Sequence, residues 1–252
     1  MKRLLVLALL LAAPAWGAGP PDRLYIDGKY DEAVKAGLAE NDAQGFAAAA
    51  RATLAEEVSL DQPCLDCLER AETYARQAIA ADPKLPSAQV YLAVALGLKE
   101  HIVGPIVARL HNYPSQAKDA LDAALAADPN SPWTMAALGG WNIAIVHHAG
   151  SDMADWFYGA TIKQGLADFA ASFKAAPDNI VIRYQYALSL SDCDVDRFHD
   201  RIEAALDLAA NGKTGTAYER LIRKRAGDLL ALLKSGDNDA YVARVRKYEG
   251  YP

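Results

Sequence analysis

Cysteine is scarce, with three in 252 residues, too few for a scaffold held together by many disulfides. Catalytic strings are missing: the chain has no GxSxG, no HExxH and no glycine-rich phosphate loop, so no nucleophile, metal-activated water or phosphate cradle is in view. Alternating apolar and polar runs of strand length are also missing, which puts sheet content near zero. Basic residues are outnumbered, 26 Lys and Arg against 32 Asp and Glu, and the net charge of −6 argues against nucleic acid or an anionic membrane as the main target. What remains is an apolar content of 52%, enough for an ordered core.

The longest apolar run lies at the start. Met1-Lys2-Arg3 precedes LLVLALLLAA and then Pro14-Ala15-Trp16-Gly17-Ala18, a basic head, an apolar stretch of about ten residues and small residues at a cleavage position. Residues 1–18 are expected to be a removed signal peptide, because a membrane span needs about 20 apolar residues. The chain is then expected in a periplasm or secreted, with no stable membrane insertion. Loss of Lys2 and Arg3 takes the net charge to −8, while Lys213 to Glu249 carries nine basic against five acidic residues. That contrast suits a solvated terminal helix pair or a docking face for an acidic partner.

From residue 19 onward the pattern is alanine-rich helix after helix. Breaks fall at Asp61-Gln62-Pro63, Asp82-Pro83, Gly104-Pro105, Asp128-Pro129, Ala176-Pro177, Asn211-Gly212 and Ser235-Gly236, where Pro, Gly or Asn stops a helix or turns the chain. They predict helix pairs at about 22–39, 42–80, 86–127, 131–175 and 178–210, with a capping pair at about 216–248. AETYARQAIAADPKLPSA, AKDALDAALAADPNSPWT and GLADFAASFKAAPDNIVI share one pattern of small residues three and four apart, followed by a Pro-containing turn. Small residues so spaced lie on one helix face and let a neighbour approach closely. These segments resemble the second helix of a tetratricopeptide repeat, and Gly28, Tyr30, Glu32 and Ala33 resemble the turn between its two helices. The expected fold is all-α, a right-handed solenoid of tetratricopeptide-like pairs spanning 19–252. Pro83 to Pro129 is 46 residues and Pro129 to Pro177 is 48, against a standard period of about 34. The excess lies in KEHIVGPIVARLHNYP and HAGSDMADWFYGAT, insertions between paired helices of the kind that gather on one face of a solenoid.

Leu138-Gly139-Gly140-Trp141, then Trp156-Phe157-Tyr158-Gly159, then Phe169, Ala175 and Pro177 form a series that resembles the core of the regulator of microtubule dynamics family. Gly140 stands where that family has Arg, and Thr161-Ile162 replaces its Pro-Pro. The resemblance implies a tetratricopeptide-like fold. Microtubule binding does not follow for an exported chain.

Cys64 and Cys67 form a CxxC near a helix start marked by Asp61 and Pro63. A local disulfide is the first reading in an oxidising compartment, with buried thiols next and redox or metal chemistry last. Leu68 follows where haem attachment needs His, and one CxxC supplies two of four zinc ligands. Cys193 reads as a packed thiol. Asp192, Asp194, Asp196 and Glu203 have the spacing of a calcium loop, but Arg197 replaces its turn glycine, so helix capping is the better reading. His147 and His148 are adjacent, and adjacent helix side chains diverge. No metal site and no cofactor are expected.

Tyr91, Trp133 and Tyr184 fall on first helices of the pairs, the layer that lines a solenoid groove, and Asn142 lies beside Trp141 as a candidate contact to a peptide backbone. Each aromatic is also a good core filler. The expected function is a non-enzymatic scaffold or adaptor holding a protein or peptide in its concave groove. The alternative is a thiol-redox or metal-handling protein centred on Cys64 and Cys67.

Overall fold

The computed structural model describes residues 19–60 and 62–252. The expected signal peptide at 1–18 lies outside the described residues, as does Asp61 of the expected helix start. Every regular element described is α-helical, and among the described residues no helix is long and apolar enough to cross a membrane.

Local chemistry sets the helix limits. α1 (Pro20–Asp27) begins on proline and stops at Gly28, and α2 (Tyr30–Glu40) stops at Asn41; both stop residues are left-handed. Asp42 caps α3 (Ala43–Ser59) by accepting from Gly45 N–H at 2.8 Å. Next come α4 (Leu65–Ala81), α5 (Pro86–Val103), a short α6 (Pro105–Leu110) and α7 (Tyr113–Ala127). α8 (Pro132–Ala149) is capped by Ser131, and after a short α9 (Ser151–Tyr158) Thr161 caps α10 (Ile162–Ala175). α11 (Ile180–Asn211) is broken at Asp194, whose ψ of 98° is non-helical. The carboxylate of Asp194 accepts from Arg197 N–H at 3.0 Å, so this acidic run does act as a cap. α12 (Ala217–Ser235) opens with a reciprocal capping box between Thr216 and Glu219, and α13 (Asn238–Tyr248) is capped by Asp237.

Successive helices pack on each other along the chain, α2 on α3, α3 on α4, α4 on α5, α5 on α7, α8 on α10 and α11 on α12. Skipped contacts of α3 with α5 and of α5 with α8 add a second row. The small residues act at the closest approaches. A Cβ on Gly37 would lie 2.5 Å from Gly45 O, and one on Gly165 would lie 2.8 Å from Gly139 O. α2 meets α3, and α8 meets α10, through bare backbone.

The chain also returns on itself. α12 touches α1 and α3, and the largest apolar cluster centres on α11 and α12, with Tyr184, Ile202, Ile222, Leu229 and Tyr241 wholly enclosed. Arg225 of α12 is buried with its guanidinium 4.5 Å from the centre of the Tyr248 ring. The C-terminal helices thus pack back against the N-terminal ones.

Candidate functional site

The two insertions fold into matching pieces. α5 ends and α6 begins at Gly104 (φ 80°, ψ 161°), and α8 ends and α9 begins at Gly150 (φ 76°, ψ 155°). Both glycines hold a positive φ that L side chains avoid, which lets one helix follow another with a sharp change of direction and no linker. Four residues on, Ala108 and Ala154 are completely buried and seat the short helices. Their large apolar side chains turn outward. Ile106 is 85% exposed, Leu110 82% and Trp156 84%, and Val107, Met153 and Phe157 are exposed beside them. Met153, Trp156 and Phe157 occupy positions i, i+3 and i+4, one face of α9. These helices invert the usual amphipathic arrangement, with the small residue inside and the bulky ones in water.

The last turns of α5 and α8, from which the two short helices run on, converge. His147 Nε2 is 3.8 Å from Asp192 Oδ2, and Tyr251 Oη donates to the same oxygen at 3.2 Å. The Tyr251 ring in turn stacks on His101 with centroids 4.4 Å apart. His101 of α5, His147 of α8, Asp192 of α11 and Tyr251 of the C-terminal tail thus share one cluster below the insertions. Burial lowers the pKa of His101 and His148, and proximity to His147 lowers it further. Glu249, beside this cluster, is buried with its Oε2 unpartnered, and burial followed by the nearby Asp192 raises its pKa well above 4.5. Among the described residues no group of three His, Cys, Asp or Glu side chains has the arrangement of a metal site.

The residues singled out for partner contact are divided by the structure. Trp133, at the start of α8 and far from α9, is 45% exposed and available. Tyr91 is half-buried, packed against several apolar clusters and close to Arg51, which pairs with Asp22 and lies over the Tyr25 ring at 4.2 Å. Tyr91 thereby joins α5 to α1 and α3. Two expectations need correction. Tyr184 is 1% exposed, inside the α11–α12 core, with a buried hydroxyl lacking a partner, so it offers no surface to a ligand. Asn142 is buried too, and its Nδ2 donates to Leu138 O and Asp168 Oδ2, both at 3.0 Å. Those bonds fasten α8 to α10 and leave the amide unavailable to a peptide backbone.

Cys64 and Cys67 are joined by a disulfide, with Cα atoms 5.2 Å apart. The helix start lies at Cys64, later than Asp61 and Pro63 suggest: Cys64 Sγ accepts from Cys67 N–H at 3.2 Å. Glu57 is buried beside the pair, and burial raises its pKa. The crevice between this corner and Glu249 holds about 20 Å³, space for a water molecule.

The outward side chains of α6 and α9 are the feature that reading the helix faces missed. A signal for them exists. His101, Gly104, Ala108 and Leu110 recur 46 residues later as His147, Gly150, Ala154 and Trp156, the same offset as Pro83 to Pro129. No protein-family model matches this sequence, and comparison with curated proteins yields no significant match.

Proposed function

We propose that this chain is a non-enzymatic, extracytoplasmic protein-binding scaffold, a right-handed solenoid of tetratricopeptide-like helix pairs that meets its partner through the edge formed by α6 and α9. The observation that carries the reading is the outward set of Ile106, Leu110, Trp156 and their neighbours on helices each seated by one alanine. Large apolar side chains gathered in water in this way mark an interaction site. The successive pairing of helices, the glycine contacts at 37 with 45 and 139 with 165, and the 46-residue offset support the repeat reading. The series from Leu138 to Pro177 adds the resemblance to the regulator of microtubule dynamics family. The disulfide at the head of α4 suits an oxidising compartment, in keeping with a leader at 1–18.

The edge is preferred to an inner groove as the contact surface because Tyr184 and Asn142, two of the residues expected to line that groove, are buried in contacts between helices. A photoreactive residue placed at Ile106 or Trp156, and for comparison at Asp196 or Lys224, tests the proposal in intact cells. Discrete protein adducts from the two edge positions alone are expected. Equal labelling from all four positions, or none from the edge, overturns it.

A second reading, thiol-disulfide exchange at Cys64 and Cys67, draws on the buried Glu57 beside the pair. Equilibration of the purified chain in glutathione buffers, followed by alkylation and mass measurement, tests it. A pair that stays oxidised across the physiological range of potentials ends that reading.

A further inference from the structure

The edge is complementary to itself. This step rests on the reading of α6 and α9 as a contact surface and names what covers it. α6 has one charged side chain, Arg109, exposed between Ile106 and Leu110. α9 has two, Asp152 and Asp155, both exposed and flanking Met153 and Trp156. Within the chain, among the described residues, none of these three charges forms an ion pair.

A two-fold axis uses such a surface twice over, because residue i of one copy meets residue j of the other and the reverse. With α6 of one protomer against α9 of its partner, Arg109 faces Asp152 and Asp155 while Ile106 and Leu110 face Trp156 and Phe157. Pairing α6 with α6 and α9 with α9 would oppose like charges instead.

Area supports the same occupant. Aromatic side chains bury about 150–250 Å² each, and with the four aliphatic ones the six exposed side chains amount to several hundred Å² per copy, on the order of the ~800 Å² a side of a specific interface. A lipid surface is a poorer match. Helices that lie in a headgroup layer carry Lys and Arg on their polar side, whereas acidic residues flank Trp156 and the whole chain has a net charge of −6.

We infer that two copies of this chain associate through their insertion edges into a symmetric dimer, α6 of each against α9 of the other. The test is the mass of the purified chain, disulfide intact, by sedimentation equilibrium across the micromolar range. Twice the chain mass is expected. Trp156→Asp is expected to give a monomer with unchanged circular dichroism, and Arg109→Asp to weaken association at least tenfold. Adding Asp152→Arg and Asp155→Arg to Arg109→Asp restores the opposed charges and is expected to recover most of the affinity. A single-chain mass at every concentration overturns the dimer, as does a dimer indifferent to Trp156→Asp or a charge swap that rescues nothing. Flotation of a monomer with phosphatidylcholine vesicles assigns the edge to lipid and also overturns it. A monomer whose Ile106 and Trp156 positions still crosslink to a different protein refutes self-association while leaving the scaffold reading intact.

Discussion

His101 Nδ1 lies 2.7 Å from the main-chain oxygen of Glu249, a hydrogen bond that joins the last turn of α5 to the C-terminal tail. A carbonyl oxygen only accepts, so the imidazole donates from Nδ1. Tyr251 stacks on the same ring and reaches Asp192, and the Arg246 guanidinium lies 4.2 Å from the centre of the Tyr251 ring. The tail is therefore a structural member, tied at once to α5 and α11.

His101→Ala removes both the hydrogen bond and the stacking partner. A loss of about 1–3 kcal/mol is expected, seen as a lowered denaturation midpoint. Carboxypeptidase should then trim Pro252 and Tyr251 faster than in the parent chain. His101→Phe keeps the stacking and should recover part of the loss.

Glu249 sets a pH dependence. Its folded pKa lies well above the ordinary 4.5, raised by burial and by Asp192, so between those two values the native chain retains a proton that the unfolded chain has lost. Its contribution is fully present below about pH 4.5 and declines as pH rises through the folded value. Burial pushes Glu100 up to about 7, with the same sign between 4.5 and 7. Glu249→Gln is expected to change the melting temperature little below about pH 4.5, where both side chains are neutral, and to raise it increasingly as pH climbs from there toward the folded value. Melting curves across that range check it.

Lys99 is buried and pairs with Glu72 at 2.8 Å, while Glu72 also accepts from Arg76 at 2.8 Å. The two partners should respond unequally. Glu72→Ala strands a buried ammonium and is expected to cost about 3 kcal/mol in denaturant unfolding. Lys99→Met keeps the aliphatic volume and leaves Glu72 its arginine, so a cost under about 1.5 kcal/mol is expected.

Two glycine-to-alanine changes should differ in sign. At Gly37 the new methyl meets Gly45 O, and forcing α2 from α3 is expected to cost about 1–3 kcal/mol. At Gly97, inside α5, a Cβ meets nothing within 4 Å, and the better helix former should add about 0.5–1 kcal/mol. Paired thermal melts read both.

The sequence marked helix limits well where the cause is local. The Pro- and Gly-containing turns at Asp82-Pro83, Gly104-Pro105, Asp128-Pro129, Ala176-Pro177 and Ser235-Gly236 stop helices through effects on neighbouring residues, and observed elements end close to each. Faces were harder to read. Periodicity shows that Tyr184 and Asn142 share a side of a helix with other apolar groups, but what covers that side comes from α12 and α10, far along the chain. The outward apolar groups of α6 and α9 were hidden for a related reason: a bulky residue reads as buried until the helix is seen to seat on Ala108 or Ala154.

The sequence alone pointed to helices across the described residues and to many of their stops, because caps, prolines and glycines act over three or four neighbours. Only the tertiary structure decided that the C-terminal tail is tied to α5 and α11 and that two insertions turn their large side chains to water. Those outcomes depend on contacts between distant segments, 148 positions apart where His101 meets Glu249, and no local pattern encodes which distant surface will arrive.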